Sequence, residues 1–365
     1  MDSTVVTRSA LRKSVAMAEP PDAAPLNPSP KRKLEPMTAD SELASKLGEG
    51  KGGYTSQNFT KHSRFWALDG NVILQFDAVA FKVHRSRLST QSVWFEKLFE
   101  RRAGREEPLD VGEENIRDVV VEELHGCDIY HLDTVSTMSD FEALLTAMED
   151  SIEFYYSAPT YLTVSAVFRA ATVFNFPKFF SFAKQYLMEE FSNDLDSFDP
   201  LLLPHPAAAL ILGRTWNLPQ ILKRAFYELA CSDPESAVEI DTAHPLYDLE
   251  KVDLIRLAKA QKHLNAAWLT IIEQTTNKCP SKTPMCVSGK RSAGWAALAA
   301  EDQLLQEYQR DPITGLERLA TKNWVNYAFC DRCAEAKKAS FIAKREEIWS
   351  DMDEWFGIVV EEDDA

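Results

Sequence analysis

The chain of 365 residues has few cysteines, no long apolar run and a deficit of positive charge. Six cysteines without an apolar signal core in the first 25 residues argue against a disulfide scaffold, so reduced thiols or a metal site are expected. No apolar run approaches 18 residues, so we expect no membrane span. Lys and Arg total 40 against 56 Asp and Glu, and this net charge of −16 makes a broad nucleic-acid surface unlikely. Hydrophobic residues still make up 45% of the chain, enough for a sizeable core.

Residues 1–60 differ in composition from the rest of the chain. They hold six of the 18 prolines but only two of the 38 Trp, Tyr and Phe residues. Such a segment cannot bury enough apolar surface to offset its conformational entropy, so we predict a disordered arm. Its Pro30-Lys31-Arg32-Lys33 is similar to a short nuclear-import signal and equally typical of a random basic triplet. The compartment is therefore predicted only as nucleus or cytoplasm.

Hydrophobic periodicity predicts strands first and helices afterwards. Residues 72–76 and 81–83 alternate apolar and polar side chains, which indicates a hairpin, and residues 128–132 indicate another strand. Ser92 and Ser139 are predicted to cap two helices that each carry an apolar face. Between the two helices, residues 101–126 are charged and irregular, which predicts an exposed excursion.

The helical part contains a short sequence pattern that occurs twice. Residues 174–177 read Phe-Asn-Phe-Pro and residues 216–219 read Trp-Asn-Leu-Pro. Asparagine tolerates the left-handed conformation that ends a helix, and proline suits the first turn of the next one. Each copy therefore predicts a helical hairpin. Further along we predict a loop over 279–294 and helices over 295–310 and 331–355.

Several motifs in the correct order closely resemble the BTB/POZ domain. Residues 69–74 read Asp-Gly-Asn-Val-Ile-Leu, and residues 81–89 read Phe-Lys-Val-His-Arg-Ser-Arg-Leu-Ser. Residues 92–99 read Ser-Val-Trp-Phe-Glu-Lys-Leu-Phe, and residues 140–145 read Asp-Phe-Glu-Ala-Leu-Leu. The resemblance covers about residues 66–192. Beyond it, Cys330-x-x-Cys333, Ile348-Trp349 and Phe356-Gly357 are similar to the C-terminal pattern of fungal proteins that contain this domain.

The resemblance implies an α+β fold, with a small mixed sheet flanked by helices and followed by a mostly α-helical C-terminal region. The predicted segments are a disordered arm (1–60), a BTB/POZ-like domain (61–198, with 101–126 as an insertion), a helical BACK-like region (199–275), a helical region with the cysteine cluster (276–357) and an acidic tail (358–365).

The resemblance further implies binding to proteins, including a second copy of the chain, without catalysis. The predicted homodimer face comprises Phe65, Trp66, Leu68, Asp69 and Leu88; for the aromatic residues, ordinary core filling is the alternative. No motif of a hydrolase, phosphate-binding loop or dinucleotide site is found, so neither an enzyme nor an organic cofactor is expected. An adaptor of a cullin-type ubiquitin ligase is an alternative function, although the Tyr-Thr-Gly turn typical of such adaptors is missing from residues 155–160.

Four of the cysteines are candidate metal ligands. Cys279 and Cys286 form one pair and Cys330 and Cys333 another, and four thiolates can complete a tetrahedral zinc shell. The first spacing is longer than usual, so buried hydrophobic cysteines or a redox dithiol remain alternatives. A zinc module would also permit a transcription-associated regulator, which the acidic composition disfavours.

Overall fold

The computed structural model describes residues 59–104, 114–124, 126–157, 159–199, 203–232, 249–273, 286–301 and 303–358. The predicted arm, apart from its last two residues, and the predicted tail after Ile358 lie outside these ranges.

Five strands form one mixed sheet. They are β1 (Thr60–Trp66), β2 (Val72–Phe76), β3 (Val79–Val83), β4 (Val120–Leu124) and β5 (Cys127–His131). The spatial order is β1-β3-β2-β5-β4. Strands β2 and β3 form the predicted antiparallel hairpin, β5 returns parallel to β2, and β1 lies parallel to β3. Strand β4 closes the far edge antiparallel to β5.

Helices pack against one face of the sheet and make up most of the described residues after β5. They are α1 (Arg85–Ser89), α2 (Val93–Arg102), α3 (Met138–Glu149), α4 (Ser151–Tyr156), α5 (Tyr161–Val173), α6 (Pro177–Glu190), α7 (Pro206–Thr215), α8 (Pro219–Cys231), α9 (Lys251–Glu273), α10 (Ser288–Glu301), α11 (Leu304–Glu307), α12 (Pro312–Thr321) and α13 (Asp331–Phe356). Within the described ranges, a 3₁₀ turn at Glu114–Asp118 lies between α2 and β4, and another at Trp324–Tyr327 lies between α12 and α13. The α+β prediction, with a mixed sheet followed by a mostly helical region, is confirmed.

The repeated corners form as their residue types predict. Asn175 and Asn217 both adopt left-handed backbone conformations, with φ of 49° and 50°. Pro177 and Pro219 are the first residues of α6 and α8. The same local chemistry therefore turns α5 into α6 and α7 into α8.

Four local predictions are wrong. Residues 101–126 are not irregular throughout, because they include the end of α2, a 3₁₀ turn and β4. Most residues of this edge strand are exposed, so it can contain two consecutive glutamates. Its sequence therefore lacks the apolar–polar alternation that indicates a strand. Thr137, not Ser139, caps α3 by accepting a hydrogen bond from the Asp140 N–H. The loop predicted over 279–294 gives way to α10 at Ser288, and this helix ends at Glu301 rather than Arg310.

A continuous set of packed hydrophobic side chains extends from Phe65 to Ile358. Packing therefore continues across the proline-rich stretch near residue 199, where a domain boundary is predicted. For example, the ring of Phe198 contacts those of Tyr227 and Trp349, at centroid distances of 5.9 and 5.7 Å.

Ser92 joins two parts of the sheet-containing region. Its buried hydroxyl accepts a hydrogen bond from the Phe95 N–H at 2.9 Å, as the sequence predicts, and donates one to the Phe174 carbonyl at 2.5 Å. The start of α2 is thereby tied to the corner between α5 and α6.

Replacing Ser92 by Ala should lower the free energy of unfolding by about 1–3 kcal/mol, because the helix loses its cap and a buried carbonyl loses its donor. Chemical denaturation of Ser92→Ala and of the exposed control Ser139→Ala measures the difference. Equal stability of the two variants would contradict this role.

Candidate functional site

Three cysteine sulfurs come together in the C-terminal region. Cys286 lies just before α10, Cys330 is the N-cap residue of α13, and Cys333 lies in the first turn of that helix. Their Sγ atoms all lie within 4.8 Å of one another, and those of Cys286 and Cys333 are 3.6 Å apart. Cys279, the fourth predicted ligand, lies outside the described residues.

The backbone before α13 turns sharply to bring its cysteines to this place. Ala328 adopts a left-handed conformation with φ of 63° at the end of the Trp324–Tyr327 turn. The Ala334 N–H then donates to the Cys330 carbonyl at 2.8 Å, which begins the helix. As a result, a Cys-x-x-Cys motif directs two sulfurs from one helical turn toward Cys286.

Gly294 lets α10 approach this turn closely. A Cβ atom at this position would lie only 1.9 Å from the Tyr327 carbonyl oxygen, which is impossible without movement of the backbone. Nearby, the rings of Trp295 and Trp324 stack at a centroid distance of 5.7 Å. The glycine therefore allows the tight packing of helix against turn beside the cysteines.

Two cationic side chains accompany the sulfurs. The Arg291 Nη1 donates to the Cys286 carbonyl at 2.6 Å and reaches its Sγ at 3.2 Å. Lys337 lies one helical turn beyond Cys333 and over the rings of Trp295 and Phe341. Burial lowers the pKa of Lys337, while the neighbouring Cys333 raises it and Arg291 lowers it. Two basic side chains therefore lie beside the cluster.

This geometry is compatible with a bound metal ion. Tetrahedral zinc with Zn–S bonds of about 2.3 Å holds its sulfurs about 3.8 Å apart, close to the observed Cys286–Cys333 separation of 3.6 Å. The Sγ atoms of the buried Cys286 and Cys333 and of the half-buried Cys330 converge on one place. The predicted cluster of Cys286, Cys330 and Cys333 can therefore hold a metal ion.

The residues predicted for a dimer face do not share one environment. Phe65 and Leu88 are 3% and 1% exposed and belong to the core of the chain itself, so they cannot present a surface to a partner. Trp66 is half-buried beside Phe59, with the Lys61 Nζ 5.0 Å from its ring. Leu68 and Asp69 are exposed. That a dimer face exists here stays a prediction, but its accessible part is smaller than the one predicted.

The turn between β1 and β2 holds Leu68 in a defined place. The Lys82 Nζ donates to the Leu68 carbonyl at 2.9 Å, and the Gly70 N–H donates to the Ala67 carbonyl at 3.2 Å. The His84 Nε2 lies 3.2 Å from a carboxylate oxygen of Asp69. Within this set of contacts the Leu68 side chain remains 94% exposed. We call residues 67–70 the Leu68 turn.

Arg291 and Lys337 are functional candidates that sequence reasoning missed. Lys337 follows Cys333 by four residues, so the helix predicted from residue 331 already places the two on one face. The sequence does not indicate Arg291, because the predicted helix begins only at Trp295.

Comparisons with protein-family models, with curated proteins and with solved structures find no match to this chain. Among the residues that the structure describes, no helix combines the length and the apolar character needed to cross a membrane.

Replacing Gly294 by Ala should lower the free energy of unfolding, although the same change within a helix usually raises it. An exposed helix gains about 1 kcal/mol from this change, whereas here we expect a loss of about 1–3 kcal/mol because the new methyl group meets backbone. Cys286 should also react faster with a thiol reagent. Denaturation and thiol-labelling rates test both effects, with Ser292→Ala on the exposed side of α10 as the control. Stabilisation by Gly294→Ala would contradict the close packing.

Proposed function

We propose that this chain is a non-catalytic protein-interaction scaffold that self-associates through a BTB/POZ-type domain. The observation that carries the proposal is the Leu68 turn. Its backbone is fixed by hydrogen bonds from Lys82 and Gly70, yet it projects a leucine side chain that is 94% exposed. A single exposed apolar side chain is common on protein surfaces, so the proposal combines this fixed turn with the BTB/POZ-like motifs that follow it in residues 69–99.

The order of elements supports the BTB/POZ assignment. The β2–β3 hairpin is followed by the two short helices α1 and α2, by the parallel return strand β5, and by α3. The helical pair α5–α6 then completes the region. This succession is the one that the motifs between residues 69 and 145 imply for the family.

A two-fold contact suits a surface of this kind. In such a dimer each copy presents the same patch, so the Leu68 turn of one copy would meet that of the other. Full burial of a leucine contributes about 1.5–3 kcal/mol, and the half-buried Trp66 on the adjoining strand extends the apolar area. Phe65 and Leu88 have no part in this face.

The second element of the proposal is a structural zinc ion at the cysteine cluster. Cys286, Cys330 and Cys333 would be three of its ligands, with Cys279 as the predicted fourth. Zinc bound there would join the start of α10 to the start of α13, since these two elements supply the three converging sulfurs.

A cullin-ligase adaptor is the second candidate function. One observation favours it: Ile152 and Tyr156, one turn apart on α4, are 76% and 77% exposed. Such i, i+4 apolar pairs are anchors for a partner helix. A pull-down with the intact protein tests this candidate: capture of a cullin that Ile152→Asp abolishes would support it, and absence of any cullin would remove it.

Replacing Leu68 by Asp should shift the mass in solution from a dimer toward a monomer of 41.2 kDa, because two carboxylates would then face each other at the two-fold contact. Light scattering after size-exclusion chromatography at micromolar concentration measures this. Leu269→Asp on the exposed side of α9 is the matched control and should leave the mass unchanged. An unaltered mass for Leu68→Asp would count against this face.

Purified protein should contain about one zinc ion per chain, and chelation should lower its melting temperature, since a metal that binds only the folded state stabilises that state. Cys333→Ser should abolish zinc binding, while Cys127→Ser on β5 should retain it. Elemental analysis and thermal melts provide the readouts. Metal-free protein whose melting is insensitive to a chelator would refute the zinc site.

A further inference from the structure

Arg291 is a buried cation directly in contact with the cysteine cluster. Only 4% of its surface is exposed. Its Nη1 lies 2.6 Å from the Cys286 carbonyl oxygen and 3.2 Å from the Cys286 Sγ. A guanidinium group does not lose its proton in proteins, so its charge is buried as well, which is costly unless negative charge lies close to it. The adjacent sulfurs can supply that negative charge as thiolates.

Lys337 is a second basic side chain in the neighbourhood of the cluster. It follows Cys333 by one helical turn, and its Nζ lies 5.5 Å from the ring centroids of both Trp295 and Phe341. Cys333 and Arg291 both influence its ionisation, as expected of groups that share one neighbourhood. The cluster thus has a cation on each of the two helices that supply its ligands.

The charges of a zinc–thiolate centre match this arrangement. Zn²⁺ with three thiolates carries a net charge of −1, and with four thiolates −2. In either case the centre is anionic, so the buried Arg291 charge lowers the cost of burying it, and Lys337 adds to the same effect. Hydrogen bonds to ligand sulfurs also reduce the electron density that the sulfurs donate to a metal.

We propose that Arg291 and Lys337 are positioning residues of a metal–thiolate centre: they compensate its negative charge, and Arg291 donates a hydrogen bond to the Cys286 sulfur. This inference rests on the zinc site of the proposed function. In this role the two residues set the affinity of the centre for zinc and the donor strength of its sulfurs, in addition to their packing.

The test compares Arg291→Met with Lys290→Met, which removes the same charge from an exposed neighbouring position of α10. Zinc affinity is measured on the full-length chain by competition with a chromophoric chelator. Loss of an outer-shell partner typically weakens binding about 10–100-fold, and we expect this for Arg291→Met. Lys290→Met should stay within about twofold of the unaltered chain. Lys337→Met should also weaken binding, and more than its neighbour Lys338→Met.

Cobalt substitution supplies a readout that lost packing alone would not move. Without the hydrogen bond from Arg291, the Cys286 sulfur becomes a stronger donor, so the sulfur-to-cobalt charge-transfer band should move to longer wavelength in Arg291→Met. Arg291→Lys, which keeps the charge, should retain more of the affinity. If Arg291→Met does not fold, Arg291→Lys and Lys337→Met provide the same two measurements.

Two failures are distinguishable. An unaltered chain that binds neither zinc nor cobalt would overturn the zinc site and this inference together. An unaltered chain that binds zinc, with unchanged affinity and an unchanged cobalt band in the Arg291 and Lys337 variants, would overturn only the role of the two cations.

Discussion

The contact of Phe141 with the sheet is the interaction on which the rest of the architecture depends. Its ring lies 5.0 Å from that of Phe76 on β2, 5.4 Å from that of Phe81 on β3, and 5.5 Å from that of Phe174 at the first helical corner. All four rings are fully buried. Because aromatic side chains bury large areas in specific orientations, this group fixes α3 and the α5–α6 corner against one face of the sheet. The hairpin so held is the base from which the Leu68 turn projects.

The C-terminal region is joined to the rest of the chain mainly through α13. The Trp349 indole N–H donates to the Asn193 carbonyl at 2.7 Å, and Phe356 stacks on Phe226 of α8 at 4.5 Å. The Lys223 Nζ lies 2.8 Å from an Asp353 carboxylate oxygen. The cysteine cluster lies at the opposite end of this helix. A metal there would therefore anchor the start of an element whose remaining length packs against earlier helices.

Local chemistry explains which features could be predicted from sequence. The hairpin, the Ser92 cap and the Asn-x-Pro corners each follow from a few neighbouring residues, and the structure bears them out. Strand β4 could not be predicted, because its order comes from pairing with β5 rather than from its own Val-Val-Glu-Glu-Leu pattern. The start of α10 could not be predicted, because Pro280, Pro284 and Gly289 indicate a loop. The close approach that Gly294 permits depends on Tyr327, which lies 33 positions further along the chain.

In the candidate site, too, some features could be predicted from the sequence and others depend on the fold. The Cys-x-x-Cys spacing predicts that Cys330 and Cys333 lie together, whereas the approach of Cys286 to them depends on the fold. The environment of Arg291 was not, because it depends on where α10 begins. Likewise, the resemblance to the BTB/POZ domain places Phe65 and Leu68 together on a predicted dimer face. The fold alone determines that the Phe65 ring is buried and that Leu68 is exposed.

Amide hydrogen exchange of the unaltered protein, recorded at several concentrations, tests the central claim of self-association most directly. We expect the amides of Leu68 and Asp69 to become more protected as concentration rises through the dimer dissociation constant, while those of the exposed α9 face do not change. Exchange at the Leu68 turn that is independent of concentration, up to the highest attainable, would contradict it.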